Sequence, residues 1–131
     1  MQLWNMQDEV LIRFADILLM GAELGSANAQ NYLDRVRTRA GLGSVPPTLE
    51  NIKRERRHEL AFEGLRYFDL LRWHDIEAAF AEANNIPVKN IGVDEIYTVT
   101  YRPETGGFLP IPESQVRLSN GVMKQNTGWE E

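Results

Sequence analysis

The sequence predicts a mainly α-helical protein with a small β-hairpin or extended segment near the C-terminus. Three observations carry that prediction. Apolar residues recur at helical spacing through residues 11–40. Oppositely charged residues sit three and four apart through residues 54–73. Beyond Pro87, β-branched and aromatic residues alternate with proline and glycine turn material. With 131 residues, 43% of them hydrophobic, the chain suits a single domain over residues 1–131.

The first helix is expected from Asp8, because Leu11, Phe14, Ala15, Leu18, Leu19 and Ala22 share one helical face. Asp8 and Glu9 would complement its positive end. Gly25 and Ser26 break the run, and Ala29, Tyr32, Leu33, Val36 and Ala40 repeat the spacing until Gly41. Small residues at Ala15, Gly21, Ala22, Ala27 and Ala29 would let the two helices approach closely, as in helical repeats of about 34 residues. Such a pair cannot bury both of its apolar faces alone.

Thr48 is a plausible N-cap for a third helical run carrying Leu49, Ile52, Leu60, Ala61 and Phe62. Gly64 is expected to interrupt it before Tyr67, Phe68 and Leu71 resume. Residues 75–84 read as another short helix. The run Ile96–Tyr101 and the extended Phe108–Pro112, joined by turn material at 102–107, are expected to form a small hairpin or a pair of extended strands. A helical turn is expected near Pro112–Val116.

The charge pattern excludes several function classes. A net charge of −5 opposes a dedicated nucleic-acid binder, which needs a basic face to displace counterions. Residues 27–72 hold nine Lys/Arg against six Asp/Glu, and residues 73–131 four against nine, so basic character is confined to the middle. Even there, Arg35 and Arg39 share a helix face while Arg37 points elsewhere. The chain has no cysteine, so it forms neither disulfides nor thiolate metal sites. The start lacks a basic region followed by a long apolar one, and no window reaches the roughly 18 apolar residues of a membrane span.

Residues 54–73, RERRHELAFEGLRYFDLLRW, gather five arginines and four acids and invite a search for chemistry. Glu55, Glu59 and Glu63 fall four apart on one helical face. Flanked by arginines they would all stay ionised, whereas a glycosidase pair needs one carboxyl protonated. His58-Glu59 begins like the zinc motif H-E-x-x-H, but Phe62 occupies the second histidine position. Glu55-Arg-Arg-His58 has no second copy, as a di-iron bundle requires. No catalytic residue, metal ligand or cofactor is therefore predicted. Arg13, Glu55, Arg56, Glu59, Glu63, Arg66, Asp69 and Arg72 are expected to form a structural lattice of ion pairs that locks one helix against its neighbours.

Four blocks together resemble a known family. They are Ile12–Glu23, Asn31–Leu42, Glu55–Trp73, and the closing Phe108-Leu-Pro-Ile-Pro112 with Gln125-Asn126. In this order they resemble the C-terminal region of SusD/RagB-type proteins. The resemblance implies tetratricopeptide-like helix pairs and a non-catalytic protein that captures glycans or other nutrients. It implies a lipid tether, N-terminal to the part seen here, on the outer face of a bacterial outer membrane, and a SusC-like TonB-dependent transporter as partner. It also implies that this chain is a C-terminal piece whose matching blocks are scaffold, so no ligand-binding residue carries over. From the residues alone, Trp4, Tyr97, Tyr101 and Trp129 are the aromatic candidates for an oligosaccharide or polysaccharide, since sugars stack on aromatic faces. For each, local packing is the competing assignment. The alternative function is a helical-repeat module that binds a protein, either a transporter or a peptide.

Overall fold

The computed structural model describes residues 11–84, 86–90, 92–96 and 98–130. They are mainly helical with one small antiparallel sheet, as the sequence predicts. The chain divides into two compact units, Met1–Arg66 and Tyr67–Glu131. Expected elements at Asp8, Glu9, Trp4 and Tyr97 lie outside the described residues.

The first unit is a three-helix cluster of α1 (Phe14–Glu23), α2 (Ala29–Arg39) and α3 (Leu49–Glu59). Its core is Leu18, Leu19, Ala22, Ala29, Leu33, Val36 and Ile52, with Ala15, Tyr32 and Val45 packed against it. Helix α1 begins later than expected. Arg13 is extended, at φ −115° and ψ 151°, and its carbonyl accepts from the Asp16 and Ile17 amides to open the helix. Leu11 is therefore exposed instead of completing the buried stripe.

Gly21 marks the closest approach of α1 to α2. A Cβ built there would lie 2.9 Å from the Tyr32 ring, inside van der Waals contact. The Thr48 hydroxyl accepts from the Asn51 amide and caps α3. Helix α3 stops at Glu59, with Leu60 as its cap residue. Phe62 then takes a left-handed conformation at φ 66° with its ring fully exposed, so Glu63 is not on the α3 face the spacing suggested.

The second unit holds α4 (Arg66–Arg72), α5 (Ile76–Ala83), β1 (Pro87–Asn90), β2 (Val93–Ile96), a 3₁₀ turn at Pro103–Thr105 and α6 (Glu113–Leu118). Strands β1 and β2 pair in the register Pro87↔Ile96 to Asn90↔Val93, and the turn includes Gly92 at φ 83°. The hairpin is thus placed earlier than residues 96–101 and 108–112. Phe108–Pro112 stays extended but unladdered, because Pro110 and Pro112 have no N–H to donate.

Candidate functional site

The extended segment must satisfy its backbone some other way, and the last turns of the chain do so. Gln125 Oε1 accepts from the Ile111 amide at 2.7 Å, while its Nε2 donates to the Ile111 carbonyl at 2.9 Å. Asn126 Nδ2 donates to the Leu109 carbonyl at 2.7 Å. Trp129 Nε1 donates to the Phe108 carbonyl at 2.9 Å. Three side chains from one short stretch thereby replace a neighbouring strand.

This clamp assembles an aromatic cluster. Tyr101 meets Phe80 edge to face, at 6.0 Å and 71°. The Arg102 guanidinium lies 4.2 Å from the Trp129 ring centre, within cation–π range, and donates to the Gly128 carbonyl. Arg102 Nε also donates to Glu104 Oε1 at 2.8 Å, and that bond holds the Glu104 carboxyl below the usual range. The Tyr67 hydroxyl donates to the Gly107 carbonyl at 2.6 Å.

The fold therefore brings Tyr101 and Trp129 into one cluster, around a cavity of about 140 Å³ that Tyr67, Phe80 and Phe108 also line. That is below the range of roughly 300–1,000 Å³ typical of ligand sites. An open groove of about 480 Å³ lies along Pro110–Glu113 and also reaches Trp129. The polar tips of Trp129 and Tyr67 are occupied by backbone carbonyls, so the aromatic groups first of all hold this unit together. Gln125, Asn126 and Arg102 are the residues that sequence reasoning assigned no such part. The available signal was the spacing of Gln-Asn and Trp after a proline-interrupted strand.

The expected lattice residues divide among separate contacts. Arg13 donates to the Glu59 carbonyl at 2.7 Å, to Glu59 Oε1 at 3.0 Å and to Glu63 Oε2 at 2.9 Å. The Glu63 hydrogen bond chiefly, then Glu59, holds the Arg13 guanidinium above its ordinary value against the opposing effect of burial. Arg39 also reaches Glu59, at 2.7 Å. Glu55 pairs with Arg37 at 2.6 Å, and Arg56 with Asp16 at 2.7 Å, all four largely shielded from water. Asp69 and Arg72 pair within α4 at 2.9 Å, and Arg66 opens that helix half-buried. Asp16, Arg37 and Arg39 complete these pairs without having been placed in the lattice from sequence. Among the described residues no three His, Asp or Glu side chains gather as a metal site.

The family sequence model described as "SusD family" matches residues 3–129. This chain belongs to the SusD family. A SusD-like protein P2 from Formosa agariphila is 29% identical over 137 residues, covering 90% of this chain and 25% of the relative. The surface glycan-binding protein A from Bacteroides thetaiotaomicron, solved also in complex with laminarihexaose, is 32% identical with a TM-score of 0.70, covering 90% of this chain and 24% of that one. A laminarin-binding SusD-like protein is 37% identical with a TM-score of 0.71, covering 94% and 23%. The chain thus spans about a quarter of the length of these SusD-family relatives.

Proposed function

We propose that this chain is the C-terminal part of a SusD-like surface protein that captures a glycan without chemically changing it. The observation carrying this reading is the structural likeness, at 32% identity, to a surface glycan-binding protein that was solved with laminarihexaose. A laminarin-type glucan is therefore the first ligand to test. The protein holds the glycan on the outer face of the outer membrane, tethered by a lipid at the N-terminus of the full polypeptide, and hands it to a SusC-like TonB-dependent transporter. The chain's own contribution is scaffold, in keeping with aromatic tips that bond to backbone. No helix among the described residues is long and apolar enough to cross a membrane.

Calorimetric titration of the complete SusD-like protein with laminarihexaose tests the reading. Saturable heat with the hexasaccharide recovered intact supports it. Absence of binding to laminarihexaose and to a panel of other glycans, or release of shorter sugars by the purified protein, overturns it.

A further inference from the structure

The turn that follows α6 combines a reactive sequence with an unguarded backbone. Of the asparagines in the sequence only Asn120 precedes a glycine. Asn120 holds a left-handed conformation at φ 52°, and Gly121 follows at φ 83°. Asparagine tolerates that region better than most side chains, yet it stores some strain there. Both residues are exposed, as are Val122, Met123 and Lys124.

Hydrogen bonds close the turn on either side of the pair and leave the pair itself open. The Asn120 amide donates to the Arg117 carbonyl at 3.1 Å and the Val122 amide to the Ser119 carbonyl at 3.2 Å. The Met123 amide donates to Ser119 Oγ at 2.9 Å. Among the described residues the Gly121 amide and the Asn120 side chain have no hydrogen-bond partner. A Cβ built on Gly121 would meet nothing within 4 Å, so the peptide between the two residues has room to rotate. Other asparagines are better guarded. The amides that follow Asn28, Asn31 and Asn51 are tied to the Ser26, Asn28 and Thr48 carbonyls. Asn51 Nδ2 donates to the Pro46 carbonyl at 2.9 Å, and Asn126 Nδ2 to the Leu109 carbonyl at 2.7 Å.

We propose that Asn120-Gly121 is a site of spontaneous deamidation, where asparagine becomes aspartate and isoaspartate through a cyclic imide. Base removes the Gly121 amide proton, and that nitrogen attacks Cγ of Asn120 to form a five-membered ring. The Cγ–Nδ2 bond breaks, and Nδ2 takes a proton from water and leaves as ammonia. Water then opens the imide. Attack at Cγ restores the main chain and gives aspartate. Attack at the Asn120 main-chain carbonyl carbon breaks its bond to the Gly121 nitrogen, so the chain runs through Cγ as isoaspartate. One water enters, one ammonia leaves, and nothing is oxidised or reduced. The absence of a side chain on Gly121 is what lets its nitrogen reach Cγ without a clash. The product adds a negative charge to a chain of net charge −5, just beyond the C-terminal end of α6, where the helix dipole opposes it. Isoaspartate also lengthens the main chain between α6 and the Gln125–Asn126 clamp.

The test is to incubate the complete folded protein in mildly alkaline buffer and follow each asparagine by peptide mapping and tandem mass spectrometry. Asn120 should convert about tenfold or more faster than any other asparagine, a lowering of the barrier by about 1.4 kcal/mol. Isoaspartate should appear among the products, and the rate should rise with pH as the nucleophilic nitrogen is unmasked. Asn120→Gly, which suits the left-handed position, should abolish the acidic species that accumulates on anion exchange. An Asn120 that stays intact in the folded protein overturns the proposal, above all if the urea-unfolded chain converts, since the native turn then protects it. Equal rates at all asparagines overturn it as well. Conversion to aspartate with no isoaspartate overturns the imide route, because direct hydrolysis of the side chain then accounts for the product.

Discussion

The two units solve the same problem with different chemistry. In Met1–Arg66 the helices satisfy their own backbone, so side chains are free to pair charge with charge: Arg56 with Asp16, Arg37 with Glu55, Arg13 with Glu59 and Glu63. In Tyr67–Glu131 the irregular segments have unmet backbone groups, and Gln125, Asn126, Trp129, Tyr67 and Arg102 spend their polar atoms on them. The buried hydrophobic residues follow the same division. Eight of the ten, from Leu18 to Leu60, lie in the first unit, leaving Leu70 and Ile76 in the second. The second unit therefore depends more on directional bonds for its shape. Both partners of the first unit's charge pairs can be replaced, whereas in these bonds of the second unit one partner is backbone and cannot be.

The sharpest way to break that comparison is at Arg56. Arg56→Ala leaves the Asp16 carboxylate buried and short of its partner, and should cost about 3–5 kcal/mol. Urea unfolding followed by circular dichroism measures it. Adding Asp16→Leu to an Arg56→Met variant should recover most of the loss, because two apolar groups need no partner. If the double variant stays as unstable as Arg56→Ala, the pair does more than neutralise itself.

Gly107 offers the corresponding test in the second unit. Its φ of 83° disfavours a side chain, and a Cβ there would fall 2.3 Å from Leu71. Gly107→Ala should therefore cost about 2–4 kcal/mol, from the left-handed conformation and the overpacking together. Trimming Leu71 to Ala in the same chain should relieve the clash but not the backbone strain. A full rescue would show that the conformation is not the constraint.

Gln125→Ala should cost less, about 1–3 kcal/mol, by orphaning the amide and carbonyl of Ile111. The informative measurement is hydrogen exchange at the Ile111 amide, which should accelerate while amides in α1–α3 keep their protection. Uniform acceleration across both units would mean that they unfold together.

Much of this arrangement was legible from sequence because helices advertise themselves by period. The α1–α2 pair, the Thr48 cap, the break at Gly64 and the helix after Asp75 all follow from spacing and turn residues. The hairpin was misplaced because Ile96–Tyr101 has strand composition, while composition says nothing about which backbone groups find partners. The prolines at 110 and 112 were the available clue that residues 108–112 could not join a ladder. Individual ion pairs were less legible still. Glu59 and Glu63 do meet one arginine, but Asp16, the partner of Arg56, lies 40 residues away, a distance at which local spacing is silent. The aromatic candidates that can be placed, Tyr101 and Trp129, converge through the Gln125–Asn126 clamp and not through any periodicity.

The smallest expected effect separates the units by their response to pH. The Arg102 hydrogen bond lowers the folded-state pKa of Glu104, so this contact contributes at pH above the ordinary glutamate range. It fades as pH falls through that range toward the lower folded value, where the carboxyl takes up a proton. Because Glu104 is exposed, added salt should weaken the effect as well. Carbon-detected NMR should place the Glu104 midpoint below that of an unstructured glutamate, and Arg102→Met should return it to the ordinary range. Arg102→Met also removes the cation from the Trp129 ring and the bond to the Gly128 carbonyl, so Trp129 fluorescence should change in the same variant. A Glu104 midpoint that ignores Arg102 would sink the assignment. Coupled shifts in Glu104 and Trp129 would instead make Arg102 the joint that ties the 3₁₀ turn at Pro103–Thr105 to the C-terminal clamp.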